Sequence, residues 1–78
     1  MEESLFDKLK SFEALKDGWD SYQGKPITES ALSTARELIP HLLRFSNAKD
    51  IFVCPLGDGG VEFEYETGCL DIMITVKP

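Results

Sequence analysis

Basic residues are nearly missing from the last third of this chain, which has no lysine, arginine or histidine between Asp50 and Val76 and only Lys77 beyond it. Direct binding to DNA, RNA or anionic membrane needs clustered Lys and Arg. A net charge of −6 and a pI near 4.6 argue against all three partners. Cysteine is scarce as well. Two thiols, Cys54 and Cys69, are too few for a disulfide framework and have no second Cys or His at zinc-like spacing, so reduced thiols and no metal or cofactor are expected. The single histidine, His41, stands beside Pro40, Leu42 and Leu43 with no nucleophile or carboxylate paired to it in sequence, the pattern of a surface or capping residue. No apolar run approaches the roughly 18 residues of a membrane helix. The start Met1-Glu2-Glu3 is also unlike a signal peptide, which leads to the expectation of a soluble, cytoplasmic chain.

What is present is enough for one core. With 78 residues, 42% hydrophobic and 28% charged, residues 1–78 are expected to form a single small domain, too small for most enzymes. Ser4 and Asp7 make a loose capping box, and Leu5, Phe6, Leu9, Phe12 and Leu15 follow at helical spacing. This predicts a helix over 3–17, ended by Gly18 in a left-handed cap. A loop from Gly18 to Pro26 follows, its Trp19 and Tyr22 folding back over the core as a lid. Thr28 then caps a second helix over 29–39, which Pro40 either kinks or ends, with a distorted continuation to about 45. Ser46 to Asp50 is a polar connection.

From residue 51 the period becomes two. Ile51–Leu56 reads as a short strand, its Pro55 marking an edge or a bulge. Gly57-Asp58-Gly59-Gly60 is a hairpin turn. Next, Val61, Phe63 and Tyr65 alternate with Glu62, Glu64 and Glu66, and after a Thr67-Gly68 turn Leu70, Ile72, Ile74 and Val76 share one face. The expected fold is α+β, two N-terminal helices packed on a three-stranded antiparallel meander in the order α-α-β-β-β.

Charge is divided unevenly along this fold. Residues 1–49 carry eight acids and seven bases, whereas residues 50–78 carry six acids (Asp50, Asp58, Glu62, Glu64, Glu66, Asp71) and only Lys77 as a base. On an extended strand Glu62, Glu64 and Glu66 project about 7 Å apart, a row of carboxylates. Closure at Thr67-Gly68 pairs Glu66 with Cys69, Glu64 with Asp71 and Glu62 with Met73, while Cys54 points inward opposite Phe63. Two explanations of the row stand side by side. Acids on outward positions keep a strand soluble and discourage edge-to-edge aggregation. A rigid anionic row also mimics the phosphates of a nucleic-acid strand and can occupy a Lys/Arg-lined groove, with apolar anchors such as Val53, Met73 or an exposed aromatic adding specificity. The glycine-rich turn is no phosphate loop, because it joins two strands and no Lys follows. Nor does an open meander offer a pocket to desolvate a catalytic carboxylate.

The stretch Leu15-Lys16-Asp17-Gly18-Trp19-Asp20-Ser21-Tyr22-Gln23-Gly24-Lys25-Pro26-Ile27, taken with Pro55-Leu56-Gly57-Asp58-Gly59-Gly60-Val61-Glu62-Phe63-Glu64-Tyr65, resembles a group of small bacterial and phage proteins. These share a Gly-Trp-Asp loop between two helices and a strand pair joined by an Asp-Gly-Gly turn. In size, element order and acidity the chain is also similar to phage anti-CRISPR proteins against type I-C systems that carry a DNA-mimicking face. That resemblance implies a non-enzymatic inhibitor, a monomer in the host bacterial cytoplasm, that blocks target-DNA binding by the Cascade complex. It transfers no binding residue, so Glu62, Glu64, Glu66 and Asp71, with Asp58 and Asp50 at the ends of the row, are chosen on charge alone. The expected partner is a basic nucleic-acid-binding protein or CRISPR Cascade subunit. The alternative is an antitoxin or small docking module that buries apolar surface of the helices or the Trp19 loop.

Overall fold

A computed structural model describes residues 4–47 and 50–78, so position 3 of the expected first helix, and Ala48 and Lys49 of the expected connection, lie outside the described residues. The order is α1 (Leu5–Phe12), α2 (Glu29–Leu42), β1 (Phe52–Pro55), β2 (Val61–Thr67) and β3 (Leu70–Val76). The strands form one antiparallel sheet in the order β1-β2-β3, so β2 is central and both its neighbours are edges. This is the α+β arrangement expected.

The N-terminus of α1 is fixed by a reciprocal capping box: Asp7 N–H donates to Ser4 Oγ at 3.1 Å, and Ser4 N–H donates to the Asp7 carboxylate at 3.4 Å. Leu5, Leu9 and Phe12 form its buried stripe. The helix stops at Phe12, well before the expected residue 17. Beyond it the backbone tightens to three-residue bonds, from Ala14 N to Ser11 O and from Leu15 N to Phe12 O, and the Ser11 hydroxyl takes up the Lys8 carbonyl at 2.6 Å. Gly18 therefore does not cap the helix. Its positive φ of +77° serves the following loop, where Gly18 N–H donates to Gly24 O at 2.7 Å.

Helix α2 begins as expected, with Ala31 N–H donating to Thr28 Oγ1 at 3.0 Å. Its regular part runs through Pro40 to Leu42, three residues beyond the expected 39, and the expected distorted continuation follows as turns in which Arg44 N–H donates to His41 O and Phe45 N–H to Leu42 O. Pro40 and Arg36, whose carbonyl loses its donor, both lie on exposed positions, while Ile39 and Leu42 on either side are buried and hold the helix in line. Leu43, the C-cap residue just past Leu42, is exposed.

One apolar cluster joins these elements. Leu9, Ala35, Ile39, Val61 and Phe63 are fully buried at its centre, with Ile51, Val53, Tyr65 and Val76 around them. Each fully buried large side chain contributes about 1.5–3 kcal/mol. The helices thus cover one face of the sheet. The other faces water.

The Gly18–Pro26 loop owes its shape to the residues of its Gly-Trp-Asp motif. Trp19 packs against the core and its indole N–H donates to Lys25 O at 2.7 Å. One Asp20 oxygen accepts from the N–H groups of both Tyr22 and Gly24 at 2.9 Å. The expected lid is only half realised, because Tyr22 is 85% exposed. With its backbone turned out by Ser21 at φ +68°, Tyr22 points away from the core.

Candidate functional site

The outer face of the sheet is a small grid set by strand register. Glu62, Glu64 and Glu66 stand along β2, and their inward neighbours Val61, Phe63 and Tyr65 are buried, so the alternation is locked by the core. On β1, Phe52 pairs with Glu64 and Cys54 with Glu62. On β3, Thr75 pairs with Glu62, Met73 with Glu64 and Asp71 with Glu66.

This register corrects two expectations. The second turn is Gly68-Cys69, closed by the pair Thr67 and Leu70, with Gly68 at φ +60° in the first central position. The pairs across the turn therefore shift by two residues from those expected, and the like charges directly opposed are Glu66 and Asp71, not Glu64 and Asp71. Such a pair costs a few tenths of a kcal/mol. The second correction lies on β1, where Val53 pairs with Phe63 and is buried, and Cys54 lies outward across from Glu62. Val53 is consequently no surface anchor. Met73 is one, 62% exposed, and Phe52, which the sequence reading passed over, is another at 65%.

Asp50, Glu64, Glu66 and Asp71, with Phe52, Tyr65 and Gly68, line a shallow open concavity of about 510 Å³. Four of the six expected acids thus converge. Glu62 stands one step along the row outside the concavity. Asp58 is tied into the first turn, where its carboxylate accepts from Gly60 N–H at 2.9 Å. No salt bridge engages any of these carboxylates among the described residues, where the only one joins Arg36 to Glu13 at 2.6 Å on the helical side.

The field of the row reaches the neighbouring thiol. Partial burial, and then the charges of Glu62 and Glu64, push Cys54 above its usual pKa, which keeps it a protonated, weak nucleophile. Cys54 and Cys69 are both exposed and unbonded. Among the described residues no three His, Cys, Asp or Glu side chains come together to hold a metal ion, and no helix is long and apolar enough to cross a membrane. His41 is an exposed residue in the last turn of α2.

The sequence signal that could have found Phe52 was faint. Ile51-Phe52-Val53-Cys54 is apolar throughout, so periodicity cannot say which side faces the helices. Comparison with protein-family models, with curated proteins and with solved structures finds no match to this chain.

Proposed function

We propose that the chain is a non-enzymatic acidic inhibitor, an anti-CRISPR protein of phage or mobile-element origin that acts in the bacterial cytoplasm. Its sheet face occupies a Lys/Arg-lined nucleic-acid groove of a type I Cascade complex and so excludes target DNA. The observation that carries this reading is the carboxylate row on the central strand. Glu62, Glu64 and Glu66 are held on a strand whose other face is core, Asp71 and Asp50 extend the row sideways, and residues 50–76 supply no base to neutralise it.

Physical chemistry links that arrangement to the function. Carboxylates, like phosphate oxygens, only accept hydrogen bonds at neutral pH. A row fixed by a packed strand meets a basic groove without a large ordering cost. The opposed pair Glu66 and Asp71 adds weight, because a merely solvated face would be more stable with one of them neutral or basic. Phe52 and Met73 flank Glu64 on both sides and give the charged surface an apolar centre for specificity.

The test is a gel shift of target DNA by purified type I-C Cascade, with and without the protein. Loss of the shifted band, reversed when Glu62, Glu64 and Glu66 are replaced together by Gln, is the expected result. Inhibition unchanged in that variant, with the fold confirmed by circular dichroism, overturns the reading. The docking-module reading retains one specific observation, the exposed aromatics Tyr22 and Phe45 (71% exposed) away from the sheet. Tyr22→Ala abolishes partner binding only in that second reading.

A further inference from the structure

The two edges of the sheet are unlike. β1 is four residues long and ends in Pro55, whereas β3 offers seven residues, Leu70–Val76, with no proline and one charge. Closure of the second hairpin by Thr67 and Leu70 makes that pair hydrogen-bonded, so Leu70, Ile72 and Ile74 direct their backbone groups to β2. Asp71, Met73 and Thr75 therefore direct theirs to the open edge. The side chains on the helical face of β3 are also incompletely covered, with Leu70 62% exposed and Ile72 and Ile74 only partly buried. An open, apolar edge of this length is a template for another strand.

We propose that the occupant is a second copy of this chain, paired antiparallel through β3 about a two-fold axis at Ile74 to give a six-stranded sheet. The register follows from charge. With Ile74 opposite its own copy, Ile72 faces Val76, Met73 faces Thr75, and Asp71 faces Lys77 of the other chain. Lys77 is the one base in residues 50–78; it follows β3 directly, and extending the alternation of the strand by one residue, as the pairing requires, puts it on the outer face with Asp71. Within one chain the two are six residues apart along an extended strand, about 20 Å, too far to pair. Across the axis they meet twice. Each Lys77 then also lies beside the opposed Glu66 and Asp71 and relieves their repulsion. The inner-face pairs are apolar throughout, and the outward backbone groups of Asp71, Met73 and Thr75 are the ones this register joins.

This pairing rests on the open edge and on the charges of Asp71 and Lys77, and its readout is a mass measured without the partner proposed for the acidic face. Analytical ultracentrifugation over a concentration series tests it. Wild type is expected to pass from monomer to twice the mass as concentration rises. Asp71→Lys sets Lys against Lys across the axis, and Lys77→Asp sets Asp against Asp. Each is expected to weaken the dimer about tenfold, and the double swap restores it. Asp71→Lys places a base opposite Glu66 within its own chain, so loss of dimer there is not loss of fold, which circular dichroism confirms. A monomer up to about 1 mM, the weak limit for a specific contact, overturns the proposal. So does a dimer indifferent to both single reversals, or a double swap that remains monomeric.

Discussion

The two ends of the sheet hold their turns in opposite ways. At the first hairpin, Gly57 O accepts from Lys25 N–H at 2.9 Å and Gly59 O from Thr28 N–H at 3.0 Å, so the turn is bound to the loop that enters α2. Gly59 and Gly60 are buried, and a Cβ on Gly60 would collide with the Val76 carbonyl oxygen. At the second hairpin Gly68 is exposed, and a Cβ there would meet nothing within 4 Å. One end is fixed by tertiary contacts. The other is fixed only by its own backbone preference, and it is there that the acids Glu66 and Asp71 are brought together.

Substitutions that exploit this contrast differ in size. Gly60→Ala is expected to cost about 3 kcal/mol, a fall of roughly 12–24 °C in Tm for a domain of this size, measured by thermal melting. Asp20→Ala removes the acceptor shared by Tyr22 and Gly24 in the loop bound to that hairpin, and is expected to cost about 1–3 kcal/mol in the same assay. Gly68→Ala meets only the left-handed backbone penalty of about 1–2 kcal/mol. A larger loss there than at Gly60 would contradict the assignment of the fixed end. In the monomer, at low protein concentration, Asp71→Asn is expected to raise stability by a few tenths of a kcal/mol in low salt, a gain that disappears in high salt. Finally, Cys54 reports the potential of the row. Replacing Glu62 and Glu64 by Gln removes two of the causes that raise its pKa, so its alkylation at fixed mildly alkaline pH is expected to quicken, while the loss of burial that would mimic this is checked by melting.

Element order, the N-caps of both helices and the side of the sheet taken by the strand acids Glu62, Glu64, Glu66 and Asp71 were legible in the sequence. Strict alternation in Val61–Glu66 admits one assignment of faces. Three features were not legible. Gly68 can take either central position of a two-residue turn, and only whole-sheet pairing selects the first, a shift of two that keeps every face but changes every partner. In Ile51–Cys54 a uniform apolar run hides which side is core, and the misreading by one residue turned Val53 and Cys54 over. The end of α1 depended on the Gly18–Gly24 closure and on Trp19 bonding across to Lys25, long-range facts that helical spacing alone does not carry. The candidate site suffered least, because a slip of two leaves Glu62, Glu64, Glu66 and Asp71 on one surface.

The most direct test of that surface is the salt dependence of binding to purified type I-C Cascade, measured for wild type and for the variant with Gln at positions 62, 64 and 66. A mimic of a phosphate row binds with an affinity that falls steeply as salt rises, and the variant shows both weaker binding at low salt and a shallower slope. Equal affinities and equal slopes for the two proteins would contradict the account.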